Sequence, residues 1–165
     1  MDGAVTLIAT TASLEVAFEE RRRQMGRIET IVADAWLKEY GGSFGRIAFN
    51  VPVYLNPPPV EASQDASKRT LCTPEPYRVD IIGQFGDEVE LIEVKEAGNM
   101  TAIGQLLVYR MLFQNTYSGI SVIHLRLVCS SCREAIQFAC RELGINLDQM
   151  YDNCDDQIKA SRRGG

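Results

Sequence analysis

Two runs rich in β-branched and aromatic residues, Tyr77 to Phe85 and Glu88 to Glu96, are separated only by Gly86 and Asp87. A two-residue gap containing glycine suits a tight hairpin, because the turn needs a positive φ that glycine adopts without steric cost. The same runs carry charges where strand interiors are otherwise apolar: Asp80 within Arg78-Val-Asp80-Ile-Ile-Gly, and Glu93 and Lys95 within Leu91-Ile-Glu93-Val-Lys95. Side chains two apart on a strand leave from one face, so Glu93 and Lys95 project together while Val94 points the other way. Antiparallel pairing through the turn then returns Asp80 to the neighbourhood of Glu93. Charges among Ile and Val require an explanation, in chemistry or in ion pairing.

Around this hairpin the chain alternates helical and β patterns. From Ser13 to Tyr40 helix formers dominate, and Ile28, Ile31, Val32, Ala35 and Trp36 recur at three- and four-residue spacing before Gly41 and Gly42, the mark of an amphipathic helix and its stop. Arg46 to Leu55 reads as a strand. Asn56 to Pro76 holds Pro57, Pro58, Pro59, Pro74 and Pro76, which neither a helix nor a central strand accepts, so a long mobile loop is expected. Met100 to Gln114 is a helix that Asn99 or Thr101 caps. Ile120 to Cys129 is a strand, and Ser131 to Leu143 a helix closed by Gly144. With 165 residues for one hydrophobic core, the expected fold is a single-domain α/β sandwich. Its central mixed sheet has about four strands flanked by helices, with a core over 26–144, a loop over 56–76 and a tail over 146–165 that is a short extra helix or disordered.

Apolar residues at 45% and charged residues at 24% exclude a disordered, collagenous or disulfide-scaffold chain. No run of about 18 uncharged apolar residues occurs, and the first residues lack a basic region ahead of their short apolar stretch, so the expectation is a cytoplasmic protein without membrane contact. The net charge of −5 argues against a broad phosphate-binding surface. Local fields can outweigh net charge, and Arg21, Arg22, Arg23 and Arg27 cluster on the first helix. Five cysteines, an odd number without an export signal, are expected as reduced thiols.

Two carboxylates, a backbone carbonyl such as that of Val94 and several waters are the hard oxygen set that Mg²⁺ prefers. Such an ion acidifies a bound water and stabilises charge on a phosphate. Lys95 beside it would orient that water, deprotonate it or neutralise the developing oxyanion, and a nearby dication would lower the lysine's pKa. Asp80, twelve residues, then Glu93-Val94-Lys95 resembles the D…E-x-K signature of the PD-(D/E)XK nuclease superfamily, over roughly Glu29 to Leu143.

The resemblance implies a restriction-endonuclease-like core, Mg²⁺ as cofactor with Mn²⁺ able to substitute, and hydrolysis of DNA by direct water attack. Gln105-Leu-Leu-Val-Tyr109 is similar to the Q-x-x-x-Y motif of RecB-like and Cas4-like members. It implies that Gln105 orients the water or a phosphate and that Tyr109 contacts Lys95, Gln105 or the nucleic-acid backbone. Gly26-Arg-Ile-Glu29 resembles the helical position from which a Glu, or a His in RecB-like members, reaches the metal. The expected ligands are therefore Asp80, Glu93, Val94 and Glu29, and the expected catalytic set is Asp80, Glu93, Lys95, Gln105, Glu29 and Tyr109.

Two other readings stay open. One is a nuclease fold without activity, acting as a nucleic-acid-binding or assembly subunit, which the negative charge favours. The other is an α/β interaction protein whose Asp80, Glu93 and Lys95 form a surface ion network. A homodimer is expected as well, since pairing enlarges the binding surface of a small domain. Cys129, Cys132, Cys140, Cys154 and Cys72 have spacings that do not match a cysteine-ligated cluster. The single histidine, His124, is expected as a satisfied core or edge residue.

Overall fold

The computed structural model describes residues 25–55, 77–117, 120 and 122–163. Within them the order is helix α1 (Arg27–Tyr40), a 3-10 turn (Gly41–Ser43), β1 (Arg46–Val53), β2 (Tyr77–Phe85), β3 (Glu88–Gly98), helix α2 (Met100–Thr116), β4 (Val122–Cys132), helix α3 (Glu134–Glu142), β5 (Ile145–Gln149) and helix α4 (Tyr151–Arg163). The five strands form one sheet in the order β1-β2-β3-β4-β5, antiparallel from β1 to β3 and parallel from β3 to β5. The expected α/β class and mixed sheet are present. The N-terminal part of the expected first helix, with Arg21 to Arg23, and the expected loop 56–76, with Cys72, lie outside the described residues.

Local chemistry accounts for the elements. Gly86, at φ +65°, turns the hairpin so that Phe85 pairs with Glu88, as the two-residue gap predicts. Asn99 caps α2, its side-chain oxygen accepting from Ala102 N at 2.9 Å. Glu29 reaches back to accept from Gly26 N at 3.3 Å, the reciprocal half of a capping box, so α1 starts there.

The sheet separates two apolar clusters. One face packs Val89, Leu91, Leu125 and Leu127 against Ala102, Leu106 and Phe113 of α2 and Ile136 and Cys140 of α3. The other packs Ile81, Ile92, Val94 and Val128 against Val32, Trp36 and Leu37 of α1 and Cys154 and Ile158 of α4. The expected four strands need correction at this point, and of the two alternatives for the tail the helix is present. Ile145–Gln149 is a fifth strand on the open edge of β4, and α4 supplies core residues. The short run Ile145-Asn-Leu-Asp-Gln carries two apolar residues and three polar ones, too little pattern to show a strand that exists because β4 offers it a parallel edge. No helix among the described residues is long and apolar enough to cross a membrane.

Candidate active site

Paired strands change phase where the site forms. Phe49 and Ile81 are partners and both pack on the α1 face, whereas Val51 and Val79 are partners and both pack on the α2 face. Two residues apart, they should share a face. Between them Asn50 takes φ +53°, the left-handed region that asparagine tolerates better than other residues with a side chain. Asp80 lies opposite this irregularity. It also marks the point where β2 leaves β3, because their register runs from Phe85↔Glu88 only as far as Ile81↔Ile92.

Beyond Ile92 the backbone of β3 therefore lacks a β2 partner, and the Asp80 carboxylate takes that role. Its Oδ2 accepts from Val94 N at 2.9 Å. A residue's N–H and C=O leave a strand toward the same edge, so the Val94 carbonyl is turned toward the gap that Asp80 occupies. Glu93 projects from the α2 face of β3 and is 1% exposed. Its Oε1 pairs with Lys95 Nζ at 2.5 Å, while its Oε2 is buried with no hydrogen-bond partner.

The electrostatics follow from this crowding. Burial raises the Asp80 carboxyl against the lowering effect of the Val94 N–H and Lys95. Burial, reinforced by the Asp80 charge, pushes Glu93 up to about 8 although Lys95 opposes it. The two carboxyl groups are close enough to hydrogen-bond when one is protonated. An unpaired buried carboxylate oxygen costs several kcal/mol, roughly, in a medium that excludes water. The pair thus calls for a proton or a cation.

Lys95, with a side chain 22% exposed, departs from expectation. Burial alone would lower its pKa, but the Glu93, Asp80 and Glu29 charges outweigh burial and raise it. The lowering that a dication would cause is not a property of the ion-free protein.

The remaining expected residues surround this centre unequally. Gln105 and Tyr109, one turn apart on α2, bond to each other, Gln105 Nε2 donating to the Tyr109 hydroxyl at 3.0 Å. Tyr109 is buried, and burial followed by the Glu93 charge raises its pKa. The pair therefore faces the carboxylates and not the far side of the helix. Glu29 stands on the rim, its Oε1 3.9 Å from Lys95 Nζ and its Oε2 engaged in capping α1. Among the described residues no group of three or more His, Cys, Asp or Glu is arranged to hold a metal ion. Asp80, Glu93 and the Val94 carbonyl lie together at the centre, and Glu29 reaches Lys95 from the rim.

Cys129, Cys132 and Cys140 are free thiols. Cys129 and Cys132 lie against Gly98, where an added Cβ would lie 2.8 Å from Cys132 Sγ and 3.3 Å from Cys129 Sγ. Burial, with Cys132 beside it, pushes Cys129 up to about 12, so its thiol stays protonated and inert as a nucleophile at neutral pH. His124 is satisfied, 2.9 Å from Glu88 Oε2 and stacked on Phe85.

A second polar group went unnoticed in the sequence. Glu90, 4% exposed, and Arg126 lie inside apolar strands as Asp80 does, and the same pattern would have found them. Arg126 binds Glu90 at 3.0 Å and Asp148 at 2.6 Å, and Trp36 Nε1 donates to Asp148 at 2.6 Å. Comparison with family models, with curated proteins and with solved structures finds no match to this chain.

Proposed function

We propose that this chain is a metal-dependent nuclease of the PD-(D/E)XK type that hydrolyses phosphodiester bonds of DNA. The observation that carries the reading is the buried, partnerless Oε2 of Glu93 beside the Asp80 carboxylate. Two carboxylates with a backbone carbonyl turned toward the same gap are a donor set suited to Mg²⁺ or Mn²⁺. When bound, such an ion supplies an acidified water and neutralises charge on the phosphate.

The chain's own residues then divide the work. Asp80 and Glu93 would hold the cation, and the Val94 N–H fixes the Asp80 carboxylate in place. Lys95, held as a cation by Glu93, orients the attacking water and offsets the charge that grows on the phosphoryl oxygens. Gln105, bonded to Tyr109, orients the water or a phosphate, and the buried Glu93 keeps Lys95 directed inward against the pull of Glu29 on the rim. A cytoplasmic setting and pairing of two copies on the DNA belong to the same proposal.

One observation favours the second reading, a nuclease fold that binds without cutting: a proton shared between Asp80 and Glu93 satisfies the pair with no metal, while Glu29 acts on Asp80 only as a nearby charge and caps α1. Incubating the purified protein with linear, circular and branched DNA in Mg²⁺, Mn²⁺ or EDTA decides between them. The nuclease cuts at least one substrate in metal and none in EDTA. Binding without cutting on every substrate establishes the alternative.

A further inference from the structure

Away from the carboxylate pair, the α1 face of the sheet holds a cavity of about 500 Å³. Glu90, in its wall, and Glu93 are three residues apart on β3 and leave opposite faces, so the two sites are separated by the sheet itself. A volume of this size falls in the range of small-ligand pockets, roughly 300–1,000 Å³.

One wall is a chain of rings. Tyr40 lies 5.8 Å from Trp36, Trp36 5.9 Å from Phe44, Phe44 5.9 Å from Phe85, and Phe85 5.8 Å from His124. The first three pairs are tilted by 33°, 41° and 41°. The wall is therefore a run of tilted rings and not one flat stacking surface. Phe44 is seated there because Gly83 has no Cβ: one added at that position would lie 2.3 Å from the ring.

The floor is polar and carries excess negative charge. Glu90 is held by Arg126 at 3.0 Å and by Asn146, whose side chain donates at 3.1 Å. Asp148, behind the floor, engages the same guanidinium. At the mouth Glu88, with a 39% exposed side chain, pairs with His124. Two carboxylates of the lining, Glu88 and Glu90, thus stand with one guanidinium and one imidazole, and Asp148 outside the lining shares that guanidinium. Arg126 already stands over the buried Trp36 ring, 5.9 Å from its centroid, so a bound cation would meet the quadrupoles of Tyr40, Phe44 and Phe85, with Coulombic attraction from Glu88 beside them.

We propose that this cavity binds a small organic cation, an amine or alkylammonium group on a short carbon skeleton, with the ring wall around the cationic head and Glu88 as its counter-ion. The proposal is independent of nuclease activity.

Trp36 is the only tryptophan of the chain and lines the cavity, so its fluorescence reports occupancy. The full-length protein is titrated with choline, putrescine and spermidine at constant ionic strength, with sodium chloride as the salt control and guanosine as a neutral planar probe. A saturable change in Trp36 emission with at least one amine is expected. Glu88→Gln, which keeps a hydrogen-bonding group beside His124, should weaken it about ten-fold, and Phe85→Ala should weaken it further. Should Phe85→Ala fail to fold, Glu88→Gln decides, since that side chain is partly exposed and replaced by an isostere. No saturable change with any amine, saturation by guanosine alone, or unchanged affinity in Glu88→Gln each overturns the proposal.

Discussion

Glu93 shares its burial between two partners of opposite effect: Lys95 on one oxygen, and the Asp80 charge near the other. A carboxyl raised to about 8 in the folded chain binds more protons there than in the unfolded chain. Between the ordinary carboxylate range and that value stability therefore falls as pH rises, and the loss is complete above it. The ion-free protein should melt at a lower temperature at about pH 8.5 than at about pH 5.5, and Glu93→Gln should flatten the difference. Calorimetry in EDTA checks this, and a melting temperature that climbs across the window would refute the carboxyl assignment. Lys95 stays protonated throughout that window in both states and does not reverse the sign. Its own test is kinetic. Lys95→Ala should retain Mn²⁺ binding in a calorimetric titration while cleavage slows by about 10²-fold or more, the usual range for a lost oxyanion-stabilising group. Asp80→Ala should lose ion binding and cleavage together. A Lys95→Ala protein cutting at the wild-type rate would remove the lysine from the proposed chemistry.

At the scale of elements, the site depends on two strands parting at a defined residue. Asn50 in its left-handed conformation lies where β1 and β2 change faces, opposite Asp80, whose carboxylate meets the stretch of β3 backbone that β2 no longer pairs. Glycine adopts the same φ freely, while a β-branched residue there costs about 1–3 kcal/mol. Asn50→Gly should thus bind Mn²⁺ like the wild type, and Asn50→Val should bind it at least about ten-fold more weakly even where circular dichroism shows the fold retained. Equal affinities in the two variants would mean that Asp80 is positioned by something other than this turn of the backbone. The hairpin and the helix with Gln105 and Tyr109 were readable because one has a glycine turn between two β-rich runs and the other an Asn99 cap and no breaker inside. The phase change was not readable, since Asn50 is an ordinary polar residue in a strand pattern until its φ is seen.

Across the whole molecule, the C-terminal segment ties the layers together. Ile145, Met150, Cys154 and Ile158 are buried, Trp36 is anchored to Asp148, and Arg162 pairs with Glu96 on β3. Burying an apolar side chain of this size stabilises by roughly 1.5–3 kcal/mol, so four of them match the whole net stability typical of a domain, about 5–15 kcal/mol. A chain ending at Gly144 should lose its cooperative unfolding transition in urea, followed by circular dichroism. A sharp transition near the full-length midpoint would show instead that β5 and α4 are accessory to the core.

What the residues determined by themselves was local: an α/β alternation, a glycine turn between two strands, a capped helix, and three charges whose spacing brings them together on one hairpin. These rest on backbone preferences and on periodicities of a few residues, which act wherever the segment sits. Tertiary structure decided the rest. It made Ile145–Gln149 a strand by giving it an edge to pair with, brought Glu29 to the rim and not to the carboxylates, and left Glu93 Oε2 without a donor. It also assembled the aromatic and acidic cavity from residues as distant in the chain as Trp36 and Asn146. Those outcomes depend on distances between segments far apart in sequence, and on how far burial raises the energy of a charge, neither of which any local pattern encodes.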